Sequence, residues 1–124
     1  MNINAGKLPE AAGKNQMINL DDFKKLDIRI GKIVSARKAE GTEKLLRLEV
    51  DFGDALGKRQ VVSGIAKFYD PETLIGKLCP FIINLEPRRF MGVESQGMIV
   101  AAAPEGKAVL LHPDQEVPEG TVIE

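Results

Sequence analysis

The spacing of apolar and polar residues divides the chain into segments of different character. Residues 1 to 16 are rich in Gly, Ala, Asn and Lys and show no period, so residues 1–17 are expected to be a disordered linker or tail. Order is expected from Ile18, where Asn19 or Asp21 can cap a short helical turn with Phe23 and Leu26 on one side. From Asp27 the pattern has period two: Ile28 and Ile30 flank Arg29, and Val34 and Ala36 keep the same parity. Gly31 and Lys32 interrupt this stretch, which predicts a bulge or bend there. After a polar turn over Lys38 to Glu43 comes the clearest strand of the chain. Leu46, Leu48, Val50 and Phe52 lie on one face, and Arg47, Glu49 and Asp51 on the other. Residues 51 to 57 read as a hairpin loop and Arg59 to Val62 as a third strand.

Residues 64 to 76 lose the strand period. Pro71 stands where a first helical turn begins, after Asp70 as cap, with Leu74 and Ile75 apolar and Gly76 as terminator. Leu78 to Leu85 is almost continuously apolar and predicts a strand buried on both faces, which Pro80 would place near an edge or at the strand's start. Met98 to Ala102 predicts a fifth strand, and Val109 to Leu111 and Thr121 to Ile123 two short ones. Three strands, a short helix and two strands is the order of an all-β, five-stranded Greek-key barrel of the OB type. An SH3-like barrel is the nearest competitor, but it does not usually set a helix between strands three and four. The barrel is expected over about 27–103, followed by a C-terminal β extension over about 104–124, so that 18–124 form one domain.

Composition is consistent with a single folded domain: of 124 residues, 44% are hydrophobic and 28% charged. No apolar run approaches the roughly 20 residues of a membrane helix, and the N-terminal stretch has no hydrophobic core of a secretory signal. A lone cysteine, Cys79, cannot build a disulfide framework, which makes a cytoplasmic protein the simplest expectation. The net charge of −1 hides a segregation: residues 23–103 carry +4 and residues 104–124 carry −4. A mildly basic body with an acidic tail is compatible with nucleic-acid binding, although a solvated surface explains such a split more often.

The chemistry in the sequence argues against an enzyme. His112 is the only histidine, so neither a His-based triad nor a multi-histidine metal site can be assembled, and a surface histidine in a turn is the plain reading. Cys79 sits in the most apolar run, where a core thiol is expected rather than a nucleophile. The carboxylates follow no metal-loop spacing and the glycines no phosphate-loop motif, so no metal or cofactor is expected. The segment Asn84 to Met98 is different. Two arginines, Arg88 and Arg89, follow a Pro-initiated turn, with Asn84 before them and Ser95 and Met98 after. Cations for phosphates, an amide and a hydroxyl for base edges and a flat apolar group are what a single-stranded nucleic acid needs. Each also has a plainer role: solvated arginines, an amide or hydroxyl bonded to backbone, a core methionine. Their convergence at the lips of strands four and five favours the binding groove.

Five segments in order resemble the tRNA-binding domain family: Asp22 to Ile33, Glu43 to Leu48, Val62 to Ala66, Leu74 to Lys77 and Asn84 to Met98. That family includes the C-terminal domain or separate beta subunit of methionyl-tRNA synthetase, free-standing tRNA-binding proteins, CsaA-type secretion chaperones and cytokine-like synthetase cofactors. The resemblance covers about residues 20 to 124 and is strongest to the methionyl-tRNA synthetase branch, through Lys-Leu-Leu-Arg-Leu and Val-Ser-Gly-Ile-Ala. It implies an OB fold whose C-terminal extension forms a homodimer. It also implies a non-catalytic module that holds tRNA by shape and backbone and serves a synthetase catalytic domain in cis or in trans. The positions matching the family's tRNA-binding residues are Lys44, Asn84, Arg88, Ser95 and Met98; Arg89 joins them on chemistry, because it shares the loop. Glu86 stands where many relatives carry a cation. A CsaA-like export chaperone that binds unfolded peptide, with Phe90, Met91 and Met98 as its lining, is the alternative on the same fold, and a purely structural dimerisation module is a third.

Overall fold

The computed structural model describes residues 16–124, so all but the end of the expected linker or tail over 1–17 lies outside the described residues. Of the two candidate caps, Asn19 serves: its Oδ1 accepts from the Asp22 N–H at 2.8 Å and starts α1 (Leu20–Lys24). The first three strands are antiparallel neighbours, β1 (Ile28–Lys38), β2 (Leu46–Asp51) and β3 (Lys58–Ser63). The remaining elements are β4 (Leu78–Ile82), β5 (Arg88–Phe90), β6 (Val93–Ser95), β7 (Met98–Ile99), β8 (Ala101–Ala102), β9 (Val109–Leu110) and β10 (Val122–Ile123). One curled sheet runs in the order β3-β2-β1-β4-β7, with β10 added to the start of β1. This is the OB-type barrel that the strand order predicts. The expected helix between the third and fourth strands is a single 3-10 turn, Pro71–Leu74, and its Leu74 plugs the core. Asp70 caps it through its backbone carbonyl, which the Thr73 N–H and hydroxyl both approach, and not through its carboxylate.

The core is built from the predicted face of β2. Leu46, Leu48, Val50 and Phe52 are buried together with Ile33, Val61, Leu74, Cys79 and Phe81. Phe52 and Phe81 meet edge to face with ring centroids 5.4 Å apart, a geometry worth about 1 kcal/mol beyond the area buried. The inward face of β1 differs from the expectation. Ile33, not Val34, is fully buried, and the register slips between Ile33 and Ser35, so Val34 is the bulged residue. The bulge switches the parity, which is how Ala36 still reaches the core. Gly31 is no bulge but a close approach. A Cβ there would collide with Val50 and come within 2.6 Å of the Phe52 ring.

Pro80 lies in the middle of β4, not at an edge. It pairs with Ile30 of β1, while its carbonyl faces the other way and accepts from the Val100 N–H at 3.0 Å. An antiparallel residue presents its N–H and C=O on the same side. The donor that proline lacks therefore falls opposite Val100, where the predicted fifth strand breaks into β7 and β8. The C-terminal extension pairs with the edge of β1 opposite β4: Ile30 donates to Thr121 at 2.9 Å and accepts from Gly120 at 2.7 Å, and β10 pairs with Ile28 and Arg29. The outward side chain of Ile30 lies beside Pro80 and the extension's Leu111, Pro113, Val117 and Ile123 and is buried, although it is not part of the core cluster. That is why period-two reasoning could not say which of its faces is the core.

Candidate nucleic-acid interface

The segment predicted as a loop with two arginines is a β-hairpin. β5 and β6 pair with Arg88 opposite Ser95, Arg89 opposite Glu94 and Phe90 opposite Val93. Met91 and Gly92 form the two-residue turn with φ of 52° and 82°, the paired positive values of a type I′ turn. Strand alternation now separates the two arginines. Arg88 shares a face with Phe90, its guanidinium carbon 4.8 Å from the ring centroid, a cation–π stack. Arg89 lies on the opposite face, across from Glu94, and donates to the Gly92 carbonyl at 3.3 Å.

The base of the hairpin closes the barrel against β3, largely through side chains. Gln96 and Gln60 exchange bonds: the Gln96 N–H donates to the Gln60 carbonyl at 2.8 Å, and the Gln60 N–H donates to Gln96 Oε1 at 3.0 Å. Ser95 is buried. Its Oγ accepts from the Val62 N–H at 2.9 Å and donates to the Gly97 carbonyl at 2.9 Å. Arg59 reaches across to the Ile83 carbonyl at 2.6 Å. Asn84 spans a different joint. Its Oδ1 accepts from the Asp27 N–H at 2.8 Å and its Nδ2 donates to the Lys25 carbonyl at 2.6 Å, tying the α1–β1 link to the end of β4. The amide of Asn84 and the hydroxyl of Ser95 are thus occupied within the chain. Met98 turns outward from β7 and stays 38% exposed beside the hairpin base.

The tip of the hairpin leans over the turn between β1 and β2. A Cβ built on Gly41 would lie 3.5 Å from Met91 Cε. That turn carries Lys44, whose side chain is exposed while its backbone is fixed by the Thr42 hydroxyl at 3.1 Å and the Ala66 N–H at 3.2 Å. On the outer face of β1, β2 and β3 lies an open groove of about 450 Å³ lined by Ser35, Arg37, Arg47, Glu49, Lys58 and Gln60, with Arg59 at its margin. Four cations surround one carboxylate. Among the described residues, no carboxylate stands within ion-pair distance of Arg37, Lys44, Lys58 or Arg88. Charges left unneutralised along one face are what a polyanion requires.

Arg37, Arg47, Lys58 and Gln60 were missed as site residues because in sequence each sits on the solvent side of an ordinary strand. Their juxtaposition follows from register: Arg37 is opposite Arg47, and Glu49 opposite Gln60. Only the length of the 51–57 hairpin loop hints at that pairing.

Among the described residues a catalytic reading has one structural candidate, which sequence spacing could not reveal. His112 Nδ1 lies 3.6 Å from Cys79 Sγ, but it also lies 2.7 Å from the Leu78 carbonyl. A carbonyl only accepts, so Nδ1 carries the proton and cannot take one from the thiol. Burial pushes the Cys79 thiol up to about 11, against a smaller opposing pull from Lys77. This is a core thiol with a histidine lid, not an activated nucleophile. Because its folded value is raised, the contribution of the neutral thiol to stability is fully present below about pH 9, its ordinary value. That contribution, on the order of 2 kcal/mol, is lost as pH rises toward 11. Thermal melts of the unaltered chain and of Cys79→Ala are expected to converge as pH climbs from 8 to 11. Among the described residues there is no cluster of His, Cys, Asp or Glu suited to a metal ion, and no helix is long and apolar enough to cross a membrane.

The fold and groove define an OB-type module with a cationic face and a hairpin arm. The family model described as "Putative tRNA binding domain" matches residues 28–122. The chain belongs to the tRNA-binding domain family. It is 52% identical over 112 residues to the methionine–tRNA ligase of Archaeoglobus fulgidus, covering 90% of this chain and 17% of that protein. The chain therefore spans about a sixth of the length of the curated relatives it matches. Among solved structures it is similar to a MetRS related protein from Pyrococcus horikoshii, with TM-score 0.82, 41% identity and coverage of 88% and 99% of the two chains. It is also similar to the chaperone CsaA of Bacillus anthracis, with TM-score 0.80, 40% identity and coverage of 88% and 100%.

Proposed function

We propose that this chain is a non-catalytic tRNA-binding module of the methionyl-tRNA synthetase type, which holds tRNA by backbone and shape and thereby enhances aminoacylation by a synthetase catalytic domain in cis or in trans. The observation that carries this reading is the unneutralised cationic groove of Arg37, Arg47 and Lys58 beneath a hairpin bearing Arg88. Phosphates run along the cations, and the Arg88–Phe90 stack and exposed Met98 offer flat surfaces to bases. Lys44 and Arg89 add charge at the rims. Asn84 and Ser95 act on the ligand indirectly, by holding the ends of the wall in place. Such a module needs no cofactor and works in the cytoplasm. A second copy of the chain packs on the exposed apolar side chains of the C-terminal extension, Val109, Leu111 and Val122, which makes the working form a homodimer.

The test is a gel shift with tRNA, single-stranded DNA and duplex DNA of equal length and salt. Retention of tRNA in preference to duplex DNA is expected, and equal or absent retention of all three would refute the reading. The likeness to the chaperone CsaA and the exposure of Met91 and Met98 support a second reading, capture of unfolded peptide on the same surface. Suppression of client aggregation that tRNA does not compete away would favour it.

A further inference from the structure

We infer that Gln60 is the positioning residue of the interface, the side chain that bonds both to the hairpin and to a cation of the sheet face and so sets their spacing. Every polar group of this residue is engaged, and the bonds lead to both walls. Its Oε1 accepts from Arg47 Nη2 at 2.9 Å, on the groove floor. Its Nε2 donates to the Glu94 carbonyl of β6 at 2.7 Å. Its backbone N–H and C=O are taken by Gln96, at 3.0 and 2.8 Å, just past the hairpin.

The consequence is geometric. The hairpin shares no backbone ladder with the main sheet; it forms a separate two-stranded sheet. Its base is joined to β3 by one backbone bond, from Gln96 to Gln60, and otherwise by side-chain bonds that Ser95, Arg59, Gln60 and Gln96 supply. Of these, Gln60 alone also fixes a groove cation. Arg47 held through one nitrogen keeps its other donors free for a phosphate, in a fixed plane. A polyanion lying between Arg47 and Arg88 is thus met by two cations whose separation one side chain sets. This rests on the tRNA-binding reading above.

Gln60→Met keeps the side chain's volume and removes both its donor and its acceptor. The expected result is a melting temperature within a few degrees of the unaltered chain but tRNA affinity lowered about tenfold, with a log–log salt slope shallower by about 1. In the background of Arg88→Ala and Arg89→Ala the same change should cost less than it does in the unaltered chain, because Gln60 then positions only Arg47 and Phe90 and no hairpin cation. Amide exchange should accelerate over residues 88–95 and stay unchanged in β1 and β2. Gln60→Asn, polar but too short to reach Glu94, is the second variant and should behave alike. Full affinity and slope in both variants, or a loss that adds in full to that of the arginine changes, would overturn the inference. If the unaltered chain fails to bind tRNA at all, the functional reading falls with it, and that outcome is distinct because it needs no variant.

Discussion

Replacing Arg88 and Arg89 together by alanine is expected to weaken tRNA binding roughly 30-fold near 0.1 M salt and to flatten the log–log salt slope by about 2, one for each phosphate no longer neutralised. The effect should be similar for different tRNAs, since phosphate recognition carries no sequence information. The two residues should not share it equally. Arg88 is exposed and stacks on Phe90 with no hydrogen bond holding its guanidinium among the described residues, whereas Arg89 already donates to the Gly92 carbonyl at 3.3 Å. Arg88→Ala alone should therefore account for most of the loss in affinity, while each arginine contributes about one to the slope. Stability should barely move, because exposed substitutions away from caps and cores usually stay within about 0.5 kcal/mol. Isothermal binding of the two single variants and the double variant separates these shares.

The largest effect on folding is expected at Gly31. Its Cα faces the barrel interior where Val50 and the Phe52 ring leave no room for a methyl group. Gly31→Ala should force those side chains off their rotamers or spread β1 from β2. It should cost about 3 kcal/mol and lower the melting temperature by about 10 °C. Relief by a smaller neighbour would identify the clash: Gly31→Ala combined with Val50→Ala should recover part of the loss. Because Gly31 lies on the inner face, binding by the fraction that remains folded should be unchanged.

Much of the fold was legible because β2 is a one-sided strand. Its alternation of Leu46, Leu48 and Val50 with Arg47, Glu49 and Asp51 is reproduced in burial and on the groove face. The core face of β1 was not legible: Ile30 is buried on the outer side beside Leu111, Val117 and Ile123, Ile33 on the inner, and the bulge at Val34 that switches the parity leaves no mark in composition. The hairpin was hidden by its turn. Met-Gly is a weak type I′ signal because methionine rarely takes positive φ, and a Pro-Arg-Arg start reads as a loop. The segment's place between the fourth and fifth strands was visible from the sequence, but the separation of Arg88 from Arg89 needed the strand pairing. Gln60 could not be singled out at all. Its importance comes from bonds to residues 13 to 36 positions away.

Binding of tRNA through its backbone, in a cationic groove closed on one side by the β5–β6 hairpin, is tested most directly by titrating the unaltered chain with bulk tRNA over a series of salt concentrations. Four to six neutralised phosphates predict tight binding at low salt and a log–log slope of about −3 to −5. No binding at low salt, or an affinity that salt leaves unchanged, would contradict it.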